Sequence, residues 1–407
     1  MLRFLTAGES HGQALVVIVD GVPAGLPLSA DDINPDLARR QLGYGRGRRM
    51  AIEQDRVEIL AGVRRGETLG SPISLLIRNR DWVNWQYTMS VEASPDDSLP
   101  GARRAAVTRP RPGHADLAAG LKYDRQDLRD ILERASARET AARVAAGAIA
   151  RTLLRHLGIL INSHVTEIGG ARLPDAHAVT FDQIQSLASD DDVRCVDPQV
   201  GVAMRRVVDA AREKGDTVGG AFEVVVHRVP VGLGSHTQWD RKLDGQIAQA
   251  LMSIPAIKAV GMGRGPEVGH LPGSQVHDEI VLATGASTGT LGALSRPTNH
   301  AGGLEGGVTN GEDLRISAWM KPISTLMDPL RSVDLQTMQV GPAAIERSDV
   351  CAVPAAAIVG EAMVALVLAN AVIDKFGGDT WAGLSDAAQR WQAAVDARLA
   401  PGTPTHE

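Results

Sequence analysis

"QDLRDILERASARETAARVAAGAIARTLLRH", Gln126 to His156, is the stretch whose reading decides the fold. It holds no proline, is rich in the strong helix formers alanine and arginine, and repeats apolar residues every three or four positions, which predicts one long helix. Its middle, "ASARETAARVAAGA" (135–148), is small-sided, so another backbone can approach it closely.

Strands are expected on both sides. "LRFLT" (2–6) and "ALVVIVDG" (14–21) have β-branched and aromatic character bounded by glycines. "RVEILAGV" (56–63) and "SPISLLIRN" (71–79) flank "RRGETLG" and predict a strand pair. Between these, "SADDINPDLARRQL" opens a helix at Ser29, with Asp32 placed for a capping box. Further helices are expected over 198–214, 238–253 and 355–376, the last closed by Gly377, and strands near 159–168, 220–228 and 313–320. The segment 90–104, polar and rich in proline and glycine, predicts a mobile loop, and the tail "APGTPTHE" predicts disorder. Strands and helices do not alternate as βαβ units, so the class expected is α+β, without tandem repeat or linker.

Composition narrows the function. The 407 residues are 44% hydrophobic and 22% charged with a net charge of −6, an ordinary globular balance. Cys195 and Cys351 lie far apart in no metal-like spacing, which fits a reducing compartment. No secretory signal is visible at the N-terminus, and the most apolar run, Ala352 to Ile373, contains Glu361, so a buried helix explains it better than a membrane span. A soluble cytoplasmic protein is expected, with no membrane partner. Net acidity and 3% aromatic residues argue against nucleic-acid binding, including an RNA-binding role for the arginine loop described next.

Charge is nevertheless uneven. "RRQLGYGRGRR" (39–49) carries five arginines and no acid. "TRPRPGHAD" (108–116) sets Arg109, Arg111 and His114 on a segment stiffened by two prolines, which suits either the grip of a small anion or a solvated loop. "TAGESHG" (6–12) brackets Ser10 and His11 with glycines after a strand. On the long helix, Asp130 can pair with Arg134 and Glu139 with Arg143 at i,i+4. Arg138 has no acid three or four positions away and is expected to hold an anion unless a distant carboxylate meets it. Neither "GYGRGR" nor "GMGRGP" is a dinucleotide fingerprint, and no P-loop is present. "NHAGGLEGGVTNG" (299–311) is a candidate anion nest, or a flexible glycine loop. "MKPIST" places Lys321 beside two hydroxyls, and "RSDVCAVPAA" places Arg347, Ser348 and Asp349 just before the apolar helix. Together these residues describe acid–base chemistry on a small polyanion.

The ordered set "GESHG", "RRQLGYGRGRRM", "RPGHAD", "LERASARETAARVAAG", "HDEI", "GGLEGGVTNG", "KPIST" and "RSDVCAVPAA" closely resembles the chorismate synthase family from residue 1 to about 378. The resemblance implies a single catalytic unit over 1–378 in which a helical layer lies between antiparallel sheets, a β-α-β sandwich, with 379–407 as an extension, helical and then disordered. It implies a shikimate-pathway lyase that converts 5-enolpyruvylshikimate 3-phosphate to chorismate and phosphate by 1,4-anti elimination, with reduced FMN as cofactor. It implies a homotetramer built as a dimer of dimers. The chain carries no flavin-reductase domain, so reduced flavin would come from outside, with NADPH as an external reductant.

Residue by residue, the resemblance assigns His11 to protonation of the departing phosphate, His114 to proton supply near flavin N1, and Asp349 to deprotonation at flavin N5. Ser10, Arg40, Arg46, Arg49, Arg111 and Arg138 match substrate-binding positions, and Arg40 and Arg46 also match positions associated with NADP. Arg134, Ala135, Ser136, Pro255, Ala256, Gly306, Lys321, Pro322, Ile323, Ser324, Thr325 and Arg347 match flavin-contacting segments. One departure stands out: relatives commonly read "AIKGVEIGDGF" where this chain reads "AIKAVGMGRGPEVG" (256–269), so Arg264 appears where acids are lost and a change of charge beside the cofactor is expected.

Overall fold

The computed structural model describes residues 1–47, 52–92, 105–283, 289–346 and 348–400. Two antiparallel sheets enclose a layer of helices. The first sheet holds β1 (Arg3–Ala7), β2 (Ala14–Asp20), β3 (Val57–Ala61) and β4 (Ile73–Arg78) in the order β1-β2-β4-β3. Its alternation is plain: Leu15, Val17, Val19, Ile73, Leu75 and Ile77 are fully buried, while Leu5 and Ile18, opposite each other in the register, stand exposed on the outer face. Helix α1 (Ala30–Gln41) begins as its sequence dictates, the Asp32 carboxylate accepting from the Ser29 N–H at 2.9 Å.

The long helix is interrupted. Instead of one element over 126–156 there are α2 (Arg129–Ala135), a single 3₁₀ turn (Ala137–Glu139) and α3 (Thr140–His156). Ser136 turns extended, with ψ of 144°, and its hydroxyl accepts from the Arg138 N–H. The break frees the Ala137 carbonyl, which takes hydrogen bonds from Arg40 Nη2 at 3.0 Å and Thr140 Oγ1 at 2.6 Å. Local propensity favoured a continuous helix; a demand from α1, nearly one hundred residues away in sequence, overrides it. The Glu139–Arg143 pair forms at 2.9 Å, but Asp130 pairs with Arg125 rather than Arg134. Arg134 instead donates to the carbonyls of Thr6 and Gly8 and tethers the end of β1.

The second sheet comprises β5 (Leu160–Ile168), β6 (Gly220–His227), β7 (Ile257–Met262) and β8 (Leu314–Met320) in the order β7-β8-β6-β5, with the short strand Ala171–Arg172 at its edge. Helices α4 (Pro198–Glu213) and α5 (Leu243–Met252) flank it. Between the sheets, α3 packs on β2 and on α6 (Val353–Phe376), and α6 packs on β5 and β6. The small-sided middle of α3 meets α6 so closely that a Cβ added at Gly147 would lie 2.3 Å from the Ala362 Cβ. Helix α6 is long and apolar enough to cross a bilayer, yet 83% of its most apolar window is buried within the protein. Gly377, at φ +92°, closes it, and α7 (Trp381–Leu399) follows, tied back through the Trp391 indole N–H to the Val231 carbonyl. This is the α+β sandwich expected from the sequence. Residues 93–104 of the expected mobile loop and 401–407 of the expected disordered tail lie outside the described residues.

Candidate active site

One cavity, of about 360 Å³, gathers the chemistry-bearing motifs. The turn after β1 contributes Ser10 and His11, the C-terminal end of α1 and its following loop contribute Arg40 and Arg46, and the stiff loop contributes Arg111 and His114. The break in the long helix contributes Ala135, Ser136 and Arg138. Pro255 and Ala256 before β7, Lys321, Ile323, Ser324 and Thr325 after β8, and Asp349 ahead of α6 complete the set. The chain is thus organised so that strand ends, a helix end and a helix break converge on one point.

Each histidine meets a carboxylate. His11 Nδ1 lies 2.8 Å from Glu133 Oε1, the His11 backbone N–H donates to Glu133 Oε2 at 2.7 Å, and the imidazole stacks on Trp85 with ring centroids 3.9 Å apart. Burial pushes the Glu133 carboxyl up, but hydrogen bonds from His11, with the nearby charge of Arg129, outweigh it and hold the group below its ordinary value. His114 Nδ1 lies 2.5 Å from Asp116 Oδ1. Asp116 is fully buried, which raises its pKa; His114 and Arg111 more than offset that and hold it well below the usual carboxylate range.

The arginines are braced from behind. Arg40 donates to Thr140 Oγ1 at 3.0 Å and to Asp55 at 3.3 Å. Burial pushes its guanidinium down to about 9, partly countered by Asp55, so it stays charged at neutral pH. Arg46 is held by Asp349 at 2.7 Å, and the Gly47 N–H donates to the other oxygen of the same carboxylate. Arg111 donates to Asp116 and, through Nη1, to Thr325 Oγ1 at 3.0 Å. Arg138 is not the acid-free cation expected from its helix neighbours. Asp55, 83 residues away in sequence, meets its Nη1 at 2.5 Å, and Asn79 accepts from its Nε. Its buried Nη2 makes no hydrogen bond, and Glu53 is 3.8 Å from it. Lys321 donates to the Gly113 carbonyl at 2.9 Å, and desolvation, with Lys258 nearby, lowers its pKa. Cys351 is buried, and that burial pushes its thiol up to about 11, leaving it inert.

Three matched positions do not line this cavity: Arg134, Pro322 and Gly306. Gly306 lies in a tight hairpin between Leu304–Glu305 and Val308–Thr309. At the start of the candidate nest, Asp278 from an adjoining segment accepts from the N–H groups of His300 at 2.8 Å and Ala301 at 3.0 Å. Arg264 also stands outside the lining and pairs with Glu267, so the expected change of charge does not reach the cavity wall. Arg49 and Arg347 lie outside the described residues. Sequence reading missed Trp85, Glu133, Asp55 and Asp116. The last was legible two residues after His114, whereas the first three are brought in by tertiary structure alone.

A family model described as chorismate synthase matches residues 2–373. The chain belongs to the chorismate synthase family. It is 59% identical to the chorismate synthase of Moorella thermoacetica over 379 residues, 93% of this chain and 95% of that one. The chorismate synthase of Geobacter sulfurreducens is 55% identical over 381 residues, again 93% and 95%. A solved crystal structure of chorismate synthase superposes with a TM-score of 0.77 at 42% identity, covering 97% of this chain and 98% of the other. The protein is accordingly an enzyme of that family, a lyase of the shikimate pathway, as its motifs led one to expect.

Proposed function

We propose that this cavity carries out a 1,4-anti elimination on 5-enolpyruvylshikimate 3-phosphate, with reduced FMN bound beside the substrate. The observation that carries the reading is the charge of the cavity wall: Arg40, Arg46, Arg111, Arg138 and Lys321 face it, against the carboxylates of Glu346 and Asp349. Substrate and flavin together bring two phosphates and two carboxylates into one site. Guanidinium forks hold such oxyanions through paired hydrogen bonds and keep their charge. Arg49 belongs to the same substrate-binding set in this reading.

A flavin suits the part of the wall built from Ala135, Ser136, Pro255, Ala256, Lys321, Ile323, Ser324 and Thr325, which supplies hydroxyls, an ammonium group and open backbone. Ala256 is held at φ +70°, a conformation an alanine rarely adopts, so its peptide is fixed by the surrounding structure. Arg347 joins this flavin-contacting set. When bound, reduced FMN supplies electron density to the departing carbon–oxygen bond and recovers it, so the reaction has no net redox change. The residues do the rest. His11 delivers a proton to the leaving phosphate, the arginines take up its charge, and Asp349, held by Arg46, would help deprotonate the flavin N5 position as the ring hydrogen is lost. His114 holds a second proton on the cofactor side, oriented by Asp116.

Reduced flavin would be supplied by a separate reductase drawing on NADPH, which in this reading meets the chain at Arg40 and Arg46. The outward apolar face of the first sheet, with Leu5, Ile18 and Leu60 exposed, supports assembly into a homotetramer. Sedimentation equilibrium of the wild type and Leu5→Glu tests that: loss of tetramer in the variant is expected, and a monomeric wild type would overturn it. The reading places the enzyme in the cytoplasm, with residues 1–378 as its catalytic unit. The deciding experiment is anaerobic phosphate release from the substrate with reduced FMN, oxidised FMN or no flavin. Chorismate is expected only with reduced FMN; equal release in all three would overturn the cofactor assignment.

A further inference from the structure

We propose that Glu133 is a positioning residue that fixes the orientation of His11; the proposal rests on the reading in which His11 is the proton donor. Glu133 does not line the cavity and its side chain is fully buried, so it acts through the imidazole or not at all. Its two oxygens lie 2.8 and 3.1 Å from His11 Nδ1, and one of them also accepts the His11 backbone N–H. The Ser10 N–H donates to the Glu133 carbonyl at 2.9 Å, so main chain and side chain of one residue grip the whole turn. With Nδ1 committed, Nε2 is the nitrogen left for a phosphate oxygen.

The second restraint is perpendicular to the first. Trp85 lies under the imidazole at an interplanar angle of 20°, its indole N–H donates to Asp81 at 3.1 Å, and Arg129 sits 5.2 Å over its ring. Glu133 holds Nδ1 and the indole lies against the ring face, so the imidazole is fixed in both position and orientation. The Glu133 carboxyl is in turn held below its ordinary value by its hydrogen bonds to His11, with Arg129, 3.5 Å away, adding to the effect. The other charges facing the imidazole are those of the shared wall: Arg40, Arg46, Arg111, Arg138 and Lys321, with His114, Glu346 and Asp349. A second buried pair shows what a purely structural version looks like. His164 and Glu223 are both fully buried in the second sheet, Glu223 is doubly held by Arg315, and neither lines the cavity.

The test compares wild type with Glu133→Gln, Glu133→Asp and His11→Gln under anaerobic single-turnover conditions with reduced FMN. Glu133→Gln is expected to lower the rate about 10²-fold, between the loss of one outer orienting carboxylate and the disruption of a full catalytic triad. Substrate KM should hardly change, because Glu133 makes no wall. The pH–rate profile of Glu133→Gln should differ from that of wild type, because the carboxylate bonded to the imidazole is gone. Glu133→Asp should recover the wild-type profile and part of the rate. Imidazole ¹⁵N spectra give a readout independent of turnover: the His11 signals should shift in Glu133→Gln alone. Unchanged spectra and an unchanged pH profile in a folded Glu133→Gln protein would overturn the proposal. A wild-type rate in His11→Gln would instead overturn the role of His11, leaving the spectral result to stand by itself.

Discussion

Arg39 and Arg40 are neighbours on one helix and belong to two opposite kinds of network. Arg39 turns into the helical layer, where both its terminal nitrogens meet Glu361 at 2.7 Å, with Arg151 at 3.1 Å and Arg194 at 3.8 Å from the same carboxylate. Arg40 turns into the cavity, where it shares Asp55 with Arg138. Both groups bury guanidiniums around a fully buried carboxylate, so burial and charge alone do not tell them apart. The difference lies in what the open side offers. A surface pocket reaches Arg39, Arg151 and Arg194, but Asp31, Asp32 and Asp36 line it too, and Asp36 accepts from both Arg39 and Arg151. Carboxylates of the chain itself already occupy the place an anion would take. The cavity network instead keeps the unbonded terminal nitrogen of Arg138 beside a wall of cations.

The largest expected effect breaks the closed side. Glu361→Ala leaves three guanidiniums without their buried carboxylate and should cost about 3–5 kcal/mol in a urea titration. Glu361→Gln isolates the charge. Burial pushes the Glu361 carboxyl up, but Arg39, Arg151 and Arg194 overcome that and bring it to about 2, from 4.5 in an open chain. A carboxyl with a depressed folded-state pKa contributes stability that is complete above 4.5 and lost as pH falls through about 2. Wild-type stability should therefore fall across that window, and the fall should be shallower in Glu361→Gln. Parallel curves would mean the three arginines do not act through this carboxylate.

Asp55→Asn applies the same change to the open side. Removing that charge should cost about 1–3 kcal/mol, because Arg40 and Arg138 lose a partner while Glu53 stays 3.8 Å from Arg138 and both arginines line the cavity. Inorganic phosphate should then raise the melting temperature of Asp55→Asn more than that of wild type, following ordinary ligand linkage, and should do nothing comparable for Glu361→Gln, whose pocket is guarded by aspartates. Equal rescue of both variants would erase the distinction between the networks.

Much of this contrast was hidden in the sequence, for a physical reason. Local patterning found α6, all four strands of the first sheet and β5, β6 and β8 of the second, and the capping residues found the start of α1, because those signals are local; β7 and the short edge strand Ala171–Arg172 were missed. The order of short motifs pointed to the family and to most of the cavity wall. What could not be read was the partner of each charge. Arg138 has only alanines and an arginine near it on the helix, so it looked free; Asp55 reaches it from another element. Ser136 sits in a run of excellent helix formers, and the break there is held by its hydroxyl on the Arg138 N–H and by Thr140 and the distant Arg40 on the Ala137 carbonyl, of which Arg40 is the one no local pattern shows. The glycine-rich loop over 299–311 left an anion nest and a flexible loop open for the same reason: only the fold brings Asp278 from an adjoining segment to the N–H groups of His300 and Ala301.

The smallest effect tests the contact that carries the closed network. Gly147 on α3 faces Ala362, the residue after Glu361, and a Cβ at Gly147 would sit 2.3 Å from the Ala362 Cβ and 2.7 Å from its carbonyl oxygen. Gly147→Ala gains about 1 kcal/mol of helix propensity and loses about 1–3 kcal/mol to overpacking, so a net loss of about 1 kcal/mol is expected. The two helices can relieve the clash only by separating, which draws Glu361 away from Arg39 on α1. The loss should therefore grow with pH above the Glu361 titration and should not respond to phosphate. Ala362→Gly in the same chain should relieve only part of the clash, because the Ala362 Cα at 2.5 Å and carbonyl oxygen at 2.7 Å remain, and a double-mutant cycle reports the coupling between the two positions. If Gly147→Ala instead weakened phosphate protection of Asp55→Asn, the helix contact would be serving the cavity network as well, and the boundary between the two would have to be drawn elsewhere than along α1.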